Sequence, residues 1–201
     1  PWVILILILG GLITWYVMSR KVSETQRKDY DSKIREAEIN QNAKEYTLAI
    51  NNFYEATEII PQRLEAYSGI VDILLMKNRV DDAVSIVRES TRPLSSNDRS
   101  YLYQSLGDYY LASKDYDRAR QMYQEGLGLG VQNINAELAL GRTFLKLGRI
   151  DEAKRQVSLS GYGEDNASEA NLLLAYILGV EDVKKAKEQI GKISPTSKWA
   201  L

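Results

Sequence analysis

From Tyr30 onward, apolar residues recur at intervals of three and four, and short polar breaks interrupt them at regular points. That spacing gives each segment one apolar stripe, which predicts amphipathic helices rather than strands. The breaks predict helices in pairs, near 30–43 and 45–58, 62–76 and 80–91, 98–113 and 116–127, 134–147 and 150–159, and 167–178 and 181–191. Asn78 and Gly148 stand just past the first helix of their pairs, where a left-handed cap residue is wanted. Asn166 with Glu169 has the spacing of an N-terminal capping box for the last pair. The polar stretch from Val22 to about Asp29 reads as a spacer that can continue as helix into the first pair. After Pro195, the segment TSKWAL is either a tail or the start of a further, truncated pair.

Tyr101 to Gly126, YLYQSLGDYYLASKDYDRARQMYQEG, is the clearest pair. Small residues, Gly107 on its first helix and Ala119 and Gly126 on its second, stand where the two backbones must approach closely. The pair repeats in register. Gly107 to Gly141, Ala119 to Ala153 and Ala49 to Ala83 are each 34 residues apart. Ala83 to Ala119 is 36, and the two extra residues fit a polar linker, Ser95-Ser96-Asn97-Asp98. A fifth unit follows with Ala175, Leu178, Ala186 and Ile190, at a step of 33 from Ala153 to Ala186. A single pair cannot bury both of its faces, so such units are stable only when stacked on copies of themselves.

Tyr103, Leu106, Gly107, Tyr110, Ala119 and Tyr123 fall at the spacing of the tetratricopeptide repeat (TPR), which this unit closely resembles. The resemblance implies an all-α, right-handed superhelix of antiparallel helix pairs over residues 30–194, with about five repeats. It also implies a binding scaffold rather than an enzyme. By the same resemblance, the second, fifth, ninth, twelfth and thirteenth positions of each repeat line a concave groove. These are Asp31, Ile34, Glu38, Gln41 and Asn42, then Glu65, Ser68, Asp72, Leu75 and Met76. The third repeat gives Tyr101, Gln104, Asp108, Leu111 and Ala112, and the fourth Asn135, Leu138, Arg142, Leu145 and Lys146. The peptide-binding residues expected from this set are Glu38, Glu65, Asp72, Tyr101, Gln104, Asp108, Leu111, Arg142, Leu145 and Lys146. Carboxylates lie in the first three repeats and bases in the fourth, which favours a basic protein or peptide as partner. The family's clamp for a terminal carboxylate needs Lys and Asn at the fifth and ninth positions. Here those places carry Ile34 with Glu38, Ser68 with Asp72, and Gln104 with Asp108, which speaks against it.

Trp2 to Met18 is 17 residues without a charge, roughly 25 Å as a helix and at the short end of a membrane span. Trp15 and Tyr16 then stand at the interface, followed at once by Arg20 and Lys21. A secretory signal core would be shorter and would end in small residues. Residues 1–19 are therefore expected to be a single-pass transmembrane anchor, 20–29 a juxtamembrane spacer and 195–201 the tail. Gly10 and Thr14 form a small-xxx-small pair on that segment. The bases after the span favour a cytoplasmic carboxyl side, but the rule compares two flanks and one is missing. Because the sequence starts at Pro1, a second reading is an accessory repeat region of a larger membrane protein whose amino-terminal part carries the activity.

Composition removes several function classes. The 26 basic and 27 acidic side chains nearly cancel, leaving no electrostatic footprint for nucleic acid. With no Cys and no His, the chain has none of the usual zinc patterns and no imidazole for a catalytic triad. No cofactor, metal or small-molecule substrate is expected. The glycines from Gly126 to Gly130 follow a helix and lack a Gly-Lys-Ser/Thr ending, so they read as an inter-repeat turn rather than a phosphate loop. Asn166-Ala167-Ser168 matches a glycosylation sequon, but helix capping accounts for it. Tyr103, Tyr110, Tyr116 and Tyr123 fall on repeat-core positions and are expected to pack rather than to stack on ligands.

Overall fold

The computed structural model describes residues 22–90, 93–159 and 164–181. Trp2 to Met18, the second helix of the fifth pair near 181–191, and the segment after Pro195 lie outside them. Among the described residues every regular element is α-helical: α1 (Glu24–Asn42), α2 (Tyr46–Ile59), α3 (Leu64–Met76), α4 (Val80–Glu89), α5 (Ser96–Ala112), α6 (Tyr116–Leu127), α7 (Ile134–Lys146), α8 (Ile150–Leu159) and α9 (Glu164–Glu181). None of these helices is long and apolar enough to cross a membrane.

One turn geometry joins the helices of each of the first four pairs. Lys44, Asn78, Lys114 and Gly148 have positive φ, at 64°, 58°, 63° and 70°. After each, a backbone N–H reaches back to the last turn of the preceding helix: Glu45 to Asn40 O at 2.8 Å, Arg79 to Leu74 O at 2.8 Å, Asp115 to Tyr110 O at 2.9 Å and Arg149 to Phe144 O at 2.9 Å. These bonds satisfy carbonyls that a helix end leaves orphaned. Asn78 and Gly148 are the cap residues that the sequence signals. Lys44 and Lys114 do the same work without signalling it, since lysine has no preference for this backbone.

Four boundaries in particular differ from those the pattern predicts. Helix α1 begins at Glu24 rather than near residue 30, because Ser23 and Gln26 form a reciprocal capping box with bonds of 3.0 and 3.1 Å. Ser95 to Asp98 is not a linker. Ser95 caps α5, its hydroxyl accepting from the Asp98 N–H at 3.2 Å, and Ser96 to Arg99 become the first turn of the helix. At the other end, Asn166 does not cap α9, which already starts at Glu164, where acidic residues favour a first helical turn. The same helix runs through Gly179 to Glu181, where the pattern predicts a break; a lone glycine costs a helix only about 1 kcal/mol.

The chain forms two compact units, Pro1–Ile73 and Leu74–Leu201. In the first, Tyr30, Ile34 and Ala37 of α1 face Ala49, Phe53 and Ala56 of α2, all buried. In the second, α5 packs on α6, α7 on α6 and α8, and α9 on α7 and α8. Leu102, Leu106, Ala119, Tyr123, Ala153 and Val157 are fully buried. Removing each larger side chain of this set from water contributes on the order of 1.5–3 kcal/mol. Gly107 lies against the Tyr123 ring so closely that a Cβ there would stand 2.5 Å from Cε1. Gly141 meets Val157 in the same way, at 2.6 Å. Tyr103 and Tyr110 are buried with Tyr123, as core packing requires, whereas Tyr116 is half-buried. The glycine run ends α6 and turns the chain, with Gly128 capping the helix and Gly130 at a φ of 73°.

Candidate functional site

Helical periodicity sets Asn97, Tyr101, Gln104 and Asp108 on one stripe of α5, and Asn135, Arg142 and Leu145 on one stripe of α7. The two helices pack side by side, so in the second unit these stripes form one face. Tyr101 is 53% exposed on it, Asp108 and Lys146 are exposed, and Gln104, Leu111, Arg142 and Leu145 are half-buried.

Asp108 ties this face to the core. One carboxylate oxygen accepts from the Tyr123 hydroxyl at 2.6 Å, and the other accepts from the Gln104 amide at 3.4 Å. Tyr123 comes from the core of α6. Burial is the main cause that raises its phenol far above the ordinary value; the bond to Asp108 and that group's charge add to the rise, while Arg142 opposes it. Asp108 therefore does two things: it presents negative charge at the surface and it satisfies a buried hydroxyl. A charge reversal there would remove the acceptor of the buried Tyr123 hydroxyl, so Asp108 is a poor place to test charge alone.

In the first unit Glu38, Glu65 and Asp72 are exposed. The Asp72 carboxyl is pushed above its usual range by desolvation. Asp31 is already engaged, accepting from Arg63 at 3.4 Å, and the Arg63 guanidinium lies 4.8 Å from the centre of the Tyr30 ring. Burial first, and the charge of Glu65 second, push the Tyr30 phenol up to about 12.

Three expected lining residues belong to the core instead: Ile34, Leu75 and Leu138 are 5%, 8% and 1% exposed. Ile34 and Leu138 occupy the fifth position, three residues before the crossing positions Ala37 and Gly141, so they sit at the border between core stripe and open face. Apolar side chains there turn inward, whereas Ser68 and Gln104 at the same position remain half-buried. Tyr123 joins the site through its hydroxyl, which its core position in the repeat does not signal. Among the described residues no three acidic side chains converge as a metal site would.

Antiparallel helix pairs in a repeating register, with one face of polar, aromatic and aliphatic side chains left open, define a helical-repeat protein. Residues 110–177 match the model of the tetratricopeptide repeat family. Within that stretch the chain carries the repeat of this family. It is 28% identical over 110 residues to human tetratricopeptide repeat protein 13, covering 55% of this chain and 12% of the relative. With mouse tetratricopeptide repeat protein 21A it shares 20% identity over 166 residues, covering 67% and 13%. The chain thus spans about an eighth of these relatives. Among solved structures, PilF of Pseudomonas aeruginosa superposes with a TM-score of 0.61 at 18% identity, covering 84% of this chain and 76% of that one. YrrB, described as a TPR protein with an unusual peptide-binding site, gives 0.57 at 20% identity, covering 84% and 88%. At these identities the likeness concerns the fold.

Proposed function

We propose that this chain is a membrane-tethered scaffold that holds a protein or peptide segment against the α5–α7 face. The observation that carries the reading is the set of side chains that packing leaves open there: Tyr101 at 53% exposure, Leu111 and Leu145 at equivalent helix ends, and the Lys146 charge. Exposed aromatic and aliphatic groups beside charges supply anchors and orientation together. In the first unit, Glu38, Glu65 and Asp72 favour Lys or Arg in the partner. The peptide-binding site ascribed to YrrB, which shares the fold, supports the same use. The uncharged stretch from Trp2 to Met18 motivates the tether.

A photoreactive residue placed at Leu145 of the full chain in its native membrane should give covalent adducts with the partner, and one at the exposed Gln121 of α6 should not. Adducts at Gln121 alone would move the partner to the other face. A second reading, an accessory repeat region of a longer protein, is supported by the small share of its relatives that the chain spans. Sequencing the gene upstream of Pro1 separates the two: an enzymatic domain in frame favours the second, a short leader the first.

A further inference from the structure

The chain leaves α6 where Gly126 is pressed onto α5: a Cβ there would stand 2.9 Å from the Tyr103 Cβ and 3.3 Å from the Ser100 carbonyl oxygen. It returns through Gly130, Val131 and Gln132 to Asn133, which caps α7. Beside that return opens a cavity of about 460 Å3, walled by Asn97 and Tyr101 of α5 and by Val131, Gln132, Ile134 and Asn135 of the loop and α7. Leu111 and Leu145 stand at the opposite ends of the two helices.

The lining differs in chemistry from the rest of the chain. Charged residues make up 26% of the sequence, yet every residue lining the cavity is uncharged, so neither an anion nor a cation finds a counter-charge there. Asn133 holds the wall in place: its side-chain oxygen accepts from the Ala136 N–H at 3.1 Å, and its amide nitrogen donates to the buried Ser100 hydroxyl at 3.3 Å. Asn97 and Asn135 are exposed, and each carboxamide offers a donor and an acceptor side by side. Tyr103 and Tyr110 of the same helix are taken into the core, whereas Tyr101 is 53% exposed and leaves its ring open at the cavity. Val131 and Ile134 are half-buried and add an apolar spot.

These groups suit a ligand that is amphipathic, uncharged and content to stay partly hydrated in an open site. A pyranose ring has that character. Its C–H face matches the electron-rich face of an aromatic ring, and its hydroxyls match carboxamides that donate and accept together. An acetamido substituent adds one more donor, one more acceptor and a methyl group on the same rigid ring, so little freedom is lost on binding.

We propose that this cavity binds a neutral saccharide containing N-acetylhexosamine. The ring lies on Tyr101, its hydroxyls meet Asn97, the acetamido group pairs with the Asn135 carboxamide, and the acetyl methyl rests against Val131 and Ile134. This activity is separate from peptide binding and does not depend on it.

The test uses the full chain in lipid nanodiscs, free of sugar-headed detergents, titrated calorimetrically with triacetylchitotriose. Cellotriose, which has the same rings without acetamido groups, should bind at least about tenfold more weakly, as the loss of a hydrogen bond and a buried methyl implies. Fully deacetylated chitotriose, which is cationic, should not bind. Among variants of unchanged helicity, Tyr101→Ala should weaken binding more than tenfold and Tyr101→Phe should restore it, since the ring rather than the hydroxyl carries the contact. Asn135→Ala should weaken triacetylchitotriose and narrow its advantage over cellotriose. No saturation at millimolar triacetylchitotriose overturns the proposal. Equal affinity for cellotriose, or undiminished binding by Tyr101→Ala, overturns it as well. Displacement of the sugar by inorganic sulfate, with the sulfate lost in the Asn135→Ala variant, would make the cavity an anion site and also overturn it.

Discussion

Lysine at positions 44 and 114 occupies a left-handed backbone that costs an L-residue roughly 1–2 kcal/mol and costs glycine almost nothing. Lys114→Gly should therefore raise stability by up to about 1 kcal/mol, part of the gain being returned to the freer unfolded chain; thermal denaturation measures it. Gly107→Ala should do the reverse, since the new methyl meets the Tyr123 ring inside contact distance, and a loss of about 1–3 kcal/mol is expected for such overpacking. Asp72 offers a pH test. Its folded-state pKa is raised by desolvation, so the native state binds the proton more tightly than the unfolded chain does. The penalty is absent below the unfolded carboxylate pKa and fully present above the folded one. Asp72→Asn should thus raise the melting temperature at neutral pH, and the gain should fade as the pH drops through the carboxylate range. A gain that grows in acid would mean the charge is favourably paired instead.

At the scale of elements, the helix pairs were legible because two signals agree: the apolar stripe, and small residues recurring every 34 positions at the crossings. Both follow from packing, which leaves the sequence little freedom. Boundaries set by side-chain capping were less legible. Ser95 to Asp98 reads as a linker by composition, yet the Ser95 hydroxyl binds the Asp98 N–H and converts the stretch into helix. The pattern places a break between 178 and 181, yet the helix runs on through it, since a lone glycine is too weak to end a helix. Ser95→Ala should cost about 1 kcal/mol of stability and fray the first turn of α5, to be seen as faster amide exchange from Asn97 to Ser100. Unchanged exchange there would mean that packing rather than the cap holds that turn.

For the molecule as a whole, the family resemblance and the repeat register were legible in the sequence. Two things were not. Fifth-position residues point inward or outward according to their own polarity, which a positional rule carried over from a family ignores, and so Ile34 and Leu138 were misplaced. The Tyr123–Asp108 bond joins residues of two helices whose pairing is known but whose side-chain directions a repeat pattern does not give. The membrane tether makes a prediction of its own: the full chain should stay with membranes through carbonate extraction, while a chain beginning at Val22 should be soluble. Release by high salt alone would indicate a peripheral contact. The central claim, that a partner segment lies on the α5–α7 face, is tested most directly by hydrogen exchange of the full chain with and without a peptide selected from a displayed library. Protection should appear at the ends of α5 and α7 around Tyr101, Leu111, Asn135 and Leu145, and the exposed face of α6 around Gln121 should be unaffected. Protection confined to α6, with α5 and α7 exchanging as in the free chain, would contradict it.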